Sequence, residues 1–324
     1  MKNIVEDYQW PSSDIFARLH RKYHIKYQKK IDIKLIGEIE SYFQKEYGFK
    51  TILFPSARAG IASILRYLKI DRSKEVFVNK WVSHCIFNTV GRYSNISTSF
   101  KSPDIAIAVH KWGIEQKFPR KKNLKIIEDS VDSIILSKNN MFINKSEFEI
   151  IAVHKIIGSI GGGVVITKNS NFYKYAKKEQ MQNKDLGQYQ SKRKFEEYNK
   201  KRTFNTWLYH ESMNTFIDYN ALLDIKKNLK NFEINKKILL KRKTDFKNNF
   251  NKIAYFSKRL GPVIPIKYET IKNHDLMKKH FLIRNIHKSK IDFEKFIKVY
   301  LLPVHFKISQ EKYNFYIEIL KKCI

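Results

Sequence analysis

The stretch Ala152-Val-His-Lys-Ile-Ile-Gly-Ser-Ile-Gly-Gly-Gly-Val-Val-Ile-Thr167 decides how this chain is read. It closes one short apolar run, Glu149-Ile-Ile-Ala-Val153, and opens another, Gly163-Val-Val-Ile-Thr167. Between them stand one lysine and a cluster of glycines. Runs this short and this apolar suit strands buried on both faces, as in a mostly parallel sheet covered by helices. A lysine at such a strand end has its ammonium form disfavoured by burial, which raises the neutral amine fraction and suits an imine bond to an aldehyde. The bland alternative is a lysine that reaches out to solvent beside a glycine turn. The glycines match neither the dinucleotide fingerprint nor a P-loop, because no Gly-Lys-Ser/Thr follows.

Moving outward, the same rhythm repeats. The spacing of Ile36, Ile39 and Phe43 predicts a helix over 33–47, followed by a strand at Thr51–Phe54. Ser56 is suited to cap a second helix that carries Ile61, Ile64, Leu65 and Leu68 at i, i+3, i+4, i+7. Glu75–Val78, Asp104–Val109 and Leu124–Ile127 are further strands. Residues 169–212 are polar and rich in Lys, Gln and Tyr, either a surface helical excursion or a flap. A long helix is expected over 219–235. After it the rhythm changes, with strands at Val263–Ile266 and Phe281–Ile283 and helices at 293–300 and 310–322. This predicts a large α/β domain over 1–232, with an N-terminal arm, and a smaller α+β domain over 233–324.

Composition narrows the class. The 324 residues are 43% hydrophobic and 14% aromatic, enough for a packed core rather than disorder. No apolar run reaches the roughly 18 residues a membrane span needs, and the first residues lack the apolar core of a secretion signal. Only Cys85 and Cys323 are present, so disulfides do not organise the fold, and no ligand-spaced Cys/His pair suggests a metal. These features lead us to expect a cytoplasmic protein. The net charge of +32 admits three readings: a polyanion or anionic-membrane partner, steering of a phosphorylated substrate, or lysine-rich drift over the surface. No nucleic-acid motif accompanies the basic runs, so a nucleic-acid partner is not expected.

Four segments follow predicted strands, where ligands of open α/β sheets gather. Ser56-Ala57-Arg58 opens a helix whose bare N–H groups and dipole favour an anion such as phosphate, though an ordinary capped helix reads the same way. Trp81 offers a flat face to a ring-shaped ligand, or is a core tryptophan. Asp129, in Ile126-Ile-Glu-Asp-Ser-Val-Asp132, is costly at a strand end unless it meets a cation or donors. Beside a pyridine nitrogen it would keep that nitrogen protonated. Lys155 is the fourth. His110 and His154 are acid/base candidates weighed against satisfied structural histidines.

In this order the segments resemble the DegT/StrS family of PLP-dependent sugar aminotransferases. The chain looks like a divergent, shortened member, matching well over about 50–168 and fairly over the last 25 residues. The family's phosphate loop is similar to Ser56-Ala-Arg-Ala, its stacking aromatic to Trp81, and its His-x-x-Gly strand end to His110-Lys-Trp-Gly113. Its Ile-Glu-Asp-Ala-Ala-Gln segment is similar to Ile127-Glu-Asp-Ser-Val-Asp132, and its Leu-Pro-hydrophobic-His ending to Leu302-Pro-Val-His305. Lys155 stands eight residues before Gly163, the family's distance from the lysine to the second glycine of its Gly-Gly-hydrophobic strand.

The resemblance implies a type I PLP fold (aspartate-aminotransferase-like) and pyridoxal 5'-phosphate as cofactor. It places Lys155 and Asp129 as catalytic residues and Ser56, Ala57, Arg58, Trp81, Asp129, Asp132 and Lys155 around the cofactor. His110, His154, Asn214 and His305 are weaker substrate candidates. A homodimer is implied, and amination of a nucleotide-linked keto sugar, with glutamate as donor, for a surface polysaccharide. Asp132 replaces a usual glutamine, Gly161-Gly-Gly lacks a usual glutamate, and Ile150-Ile-Ala-Val lacks a usual serine. The family's Asn-Tyr-Arg segment is echoed only by Asn214. Three alternatives stay open: a PLP-dependent sugar dehydratase, in which His154 would take the lysine's place; a PLP enzyme acting on a small phosphorylated substrate; and a basic polyanion-binding protein on a degenerate scaffold.

Overall fold

A computed structural model describes residue 11 and residues 30–159, 161–184, 215–217, 219–288 and 294–324. A seven-stranded sheet forms its centre. In chain order the first part comprises α1 (Ile33–Tyr47), β1 (Lys50–Phe54), α2 (Ala57–Tyr67), β2 (Glu75–Phe77), α3 (His84–Val90), β3 (Asn95–Ser97) and β4 (Ile105–Val109). Then come β5 (Lys125–Asp129), β6 (Phe148–Ile151), α4 (Val153–Ile157), β7 (Gly163–Thr167) and α5 (Ser170–Gln182). The strand order is β1-β7-β6-β5-β4-β2-β3. From β6 to β3 all neighbours are parallel, while β7 runs antiparallel to both β1 and β6.

Alternate residues of each strand feed opposite cores. Ile52 and Phe54 pack under α2 with Ile61, Ile64 and Leu65, whereas Leu53 and Ile151 face α1 with Ile36, Ile39 and Phe43. Each such buried aliphatic side chain contributes about 1.5–3 kcal/mol. The sheet is therefore covered on both faces, as its apolar strands require.

The chain continues with α6 (Tyr219–Asn228), α7 (Asn231–Phe250), β8 (Val263–Lys267), α8 (His274–His280), β9 (Leu282–His287), β10 (Phe296–Pro303) and α9 (Gln310–Lys321). A second antiparallel sheet has the order β8-β10-β9. Two expectations need correction. The helix expected over 219–235 is two helices, broken at Leu229-Lys230, with α7 running on to Phe250. The helix expected over 293–300 lies partly outside the described residues, and its remainder is strand β10. That strand pairs on both sides, with β8 and β9, so its backbone is satisfied only as the central strand. The expected domain boundary at 232/233 falls in the first turn of α7. The buried cluster beneath α1 continues into Ile264, Tyr300 and Ile319 without a gap.

Candidate active site

The glycine run has a structural task. A Cβ on Gly163 would lie 2.3 Å from the Ala57 backbone nitrogen and 2.5 Å from the Ser56 carbonyl carbon. Gly162 donates its N–H to the Pro55 carbonyl at 2.9 Å, and its own carbonyl accepts from the Val153 N–H at 3.1 Å. Gly162 has φ +104°, in the left-handed half of the map where glycine alone is unstrained. The run thus draws the start of α2 against the start of α4. Ser56 caps α2, its side chain accepting from the Ala59 N–H at 3.3 Å. Ser56 and Ala57 are buried and Arg58 is half-buried.

Lys155 sits in α4, a five-residue helix rather than the strand end expected for it. The helix stops at Gly158 (φ +77°), and α7 takes up its last carbonyls: Asn235 Nδ2 donates to Ile156 at 2.7 Å and Asn231 Nδ2 to Ile157 at 3.2 Å. From this support Lys155 Nζ reaches the Asp132 carboxylate at 2.7 Å. Asp129 ends β5 in register with Val109 of β4 and Ile150 of β6. Its Oδ1 accepts from the Val131 N–H at 3.2 Å, while its Oδ2 is buried without a hydrogen-bond partner among the described residues. Burial, reinforced by Asp132 and opposed by Lys155, pushes the Asp129 carboxyl up to about 7. Asp129, Asp132 and Lys155 thus form one electrostatically coupled group at the carboxyl ends of β5 and β6.

Trp81, in the turn after β2, is buried with its ring 5.5 Å from that of His287 on β9. Lys111 Nζ lies over it at 5.4 Å. His154 is half-buried, with Nδ1 3.4 Å from the Gly162 carbonyl. His110 adjoins this group through its backbone, its N–H donating to the Asp129 carbonyl at 2.8 Å. It is fully buried, Nε2 on Glu128 and Nδ1 accepting from the Gln116 N–H at 3.0 Å, and desolvation holds its imidazole well below its ordinary value. Both ring nitrogens thus meet protein groups. His305 follows β10 and is buried, its carbonyl accepting from Arg242 Nη1 at 3.1 Å. Asn214 and the basic stretch 192–202 lie outside the described residues.

Three features escape a reading of the sequence. Lys111 approaches the group from the end of β4. Asn79, two residues before Trp81, is buried with neither amide atom bonded among the described residues. Arg259 is buried against Glu149 at 2.8 Å and also donates to the Ser130 hydroxyl, fixing the turn that follows Asp129. Only the position of Lys111 directly after a strand-end histidine could have marked it in advance.

The group fits pyridoxal phosphate. A protonated pyridine nitrogen would supply the donor that Asp129 Oδ2 lacks, the start of α2 offers N–H groups to a phosphate, and Lys155 supplies a primary amine.

Comparisons agree with this fit. A family model described as "Putative PLP-dependent aminotransferase" matches residues 39–323. No curated protein matches the chain by sequence. Among solved structures, a DegT DnrJ EryC1 StrS aminotransferase from Brucella abortus is 12% identical, covering 91% of each chain with a TM-score of 0.60. DesI, solved in the presence of its TDP-sugar product, is 12% identical over 95% of this chain and 88% of its own, at a TM-score of 0.62. The 8-amino-7-oxononanoate synthase of Francisella tularensis is 15% identical over 98% and 96%, at 0.54. At these identities the likeness is one of fold, the type I PLP fold. Among the described residues no helix is long and apolar enough to cross a membrane.

Proposed function

Since the chain belongs to the family of PLP-dependent aminotransferases, we propose that it is a DegT/StrS-type enzyme that aminates a keto group of a nucleotide-linked sugar. The amino group would come from a donor such as glutamate, and the product would serve a surface polysaccharide. The observation that carries the reading is the Lys155–Asp132–Asp129 group, with one carboxyl oxygen of Asp129 buried and unpartnered. The fold likeness to sugar aminotransferases, DesI with its TDP-sugar product among them, supports the substrate class.

Bound PLP supplies an aldehyde and a protonated pyridine ring that withdraws electrons from a carbon bearing nitrogen. The residues of this chain do the rest. Lys155 Nζ would hold the aldehyde carbon, and its amine would serve as the base for the proton on the donor carbon. Asp129, at the end of β5, would keep the ring nitrogen protonated. Trp81 would offer an indole face to the ring, and the start of α2 at Ser56, Ala57 and Arg58 would receive the phosphate. Asp132 orients the Lys155 amine. We further propose a homodimer, as the resemblance implies.

A sugar dehydratase reading would give the lysine's place to His154. The Lys155 amine is held on Asp132 at 2.7 Å, which favours the lysine as the working group and so amination. The test adds PLP to purified protein. Wild type develops an absorbance band that borohydride fixes covalently to Lys155, and Lys155→Ala does not. A mutant that keeps the same band refutes the assignment of the lysine. Product analysis with keto-sugar nucleotides then separates nitrogen gained from oxygen lost.

A further inference from the structure

Trp81 stands in the irregular turn between β2 and α3, where neither a helix nor a strand fixes its side chain. The Val82 N–H donates to the Asn79 carbonyl at 3.2 Å, and Ser83 makes no side-chain capping bond at the start of α3. An indole turns about two side-chain bonds, so its plane here is set by neighbours from other parts of the chain. Some of these belong to the apolar cluster beneath α2, against which Val131, two residues past Asp129, also packs. Others come from β9.

Strand β9 lies at the edge of the second sheet and pairs with β10. It meets the turns that follow β2 and β4 at three points. The Asn285 carbonyl accepts from Lys111 Nζ at 3.1 Å, and His287 Nε2 lies 3.0 Å from the Glu115 carbonyl. The third is the His287 ring, 5.5 Å from that of Trp81 and tilted to it by 31°. A carbonyl only accepts, so Nε2 carries the proton and Nδ1 is the bare nitrogen. Nδ1 is buried without a hydrogen-bond partner among the described residues. Burial lowers this imidazole to about 4, so the ring is neutral near pH 7. A buried acceptor left unpaired is costly, and a phenylalanine would avoid that cost. What the histidine offers instead is a ring whose rotation is pinned by the Glu115 bond while it packs beside the indole.

Resting on the reading of Trp81 given above, we propose that His287 is a positioning residue, its pinned ring bracing the Trp81 indole in the plane that the cofactor ring needs. Both side chains are buried, His287 at 1% exposure and Trp81 at 8%, so neither ring has room to turn without displacing the other. Tilted aromatic pairs at this separation attract beyond their shared area. The second sheet is thereby linked to the cofactor through side chains alone: β9 carries His287, and His287 holds the indole. Its effect on the cofactor runs through Trp81.

The test titrates cofactor-free protein with PLP by absorbance, then reads circular dichroism in the cofactor's own band at saturation. That signal reports how the bound ring sits among its neighbours and does not depend on overall stability. His287→Ala should weaken binding about fivefold and reduce the saturated signal. His287→Phe keeps an aromatic face and should stay within about twofold of wild type, with its signal retained. His287→Gln keeps a donor for the Glu115 carbonyl but no ring, so it should behave as alanine does, and it stands in if the alanine variant does not fold. In a Trp81→Ala background, His287→Ala should change affinity by less than about twofold, because the residue through which it acts is gone. Rescue by glutamine rather than phenylalanine, an unchanged saturated signal in His287→Ala, or its full loss persisting without Trp81 overturns the inference. Wild-type affinity in Trp81→Ala overturns the reading of Trp81 itself, and wild type that takes up no PLP overturns the cofactor site as a whole.

Discussion

Replacing Asp129 by asparagine should stabilise the cofactor-free protein at alkaline pH and weaken its hold on PLP. The carboxyl is raised from 3.8 to about 7, chiefly by burial. A group whose folded value is raised binds more protons in the native state than in the unfolded one across that window. Stability therefore falls as pH rises from about 4 to about 7, and the whole cost is present above about 7. At about 1.4 kcal/mol per pH unit the gap comes to roughly 4 kcal/mol. Asparagine keeps an acceptor for the Val131 N–H but places a second buried group where Oδ2 was, which returns about 1–3 kcal/mol. The net gain at pH 8 is then on the order of 1–3 kcal/mol, shrinking to a loss at pH 4. Urea unfolding of both cofactor-free proteins at pH 4, 6 and 8 measures it, the difference between them isolating this group from all others that titrate. With PLP added the order should invert, because the ring nitrogen gains a charged partner only in wild type. A difference that does not change with pH would refute the account of Asp129 as a carboxyl awaiting a donor.

Two further substitutions probe the frame. Gly163→Ala should cost several kcal/mol and displace the start of α2, because the new Cβ meets backbone at 2.3 Å; thermal unfolding and PLP affinity would report the two effects. Arg259→Met strands a buried Glu149 and should cost about 3–5 kcal/mol in denaturant unfolding, whereas adding Glu149→Gln should recover part of it.

The sequence alone determined whatever depends on neighbours along the chain. Apolar runs of four or five residues between helical periods announced β1, β4, β5 and β7. The i, i+3, i+4 spacing in 33–47 marked α1 to the residue, because a helix meets its hydrogen bonds within itself. The order of the short motifs, through the family the chain resembles, made Lys155 and Asp129 candidates, one just after a strand and one at a strand end of the same sheet.

Tertiary structure decided what depends on segments far apart. Phe296–Pro303 carries a pattern that a helix could use, and it became β10 because β8 and β9 pair with its two edges. His110 looked like Asp129, a polar residue at a strand end, until Glu128 and the Gln116 N–H took both its nitrogens. Lys111 gained its place only when β9, more than 170 positions away, brought the Asn285 carbonyl to it. Local pattern fixes where a strand ends. Which charges meet there is a property of the folded chain, because burial and distance, not spacing in sequence, set their energies.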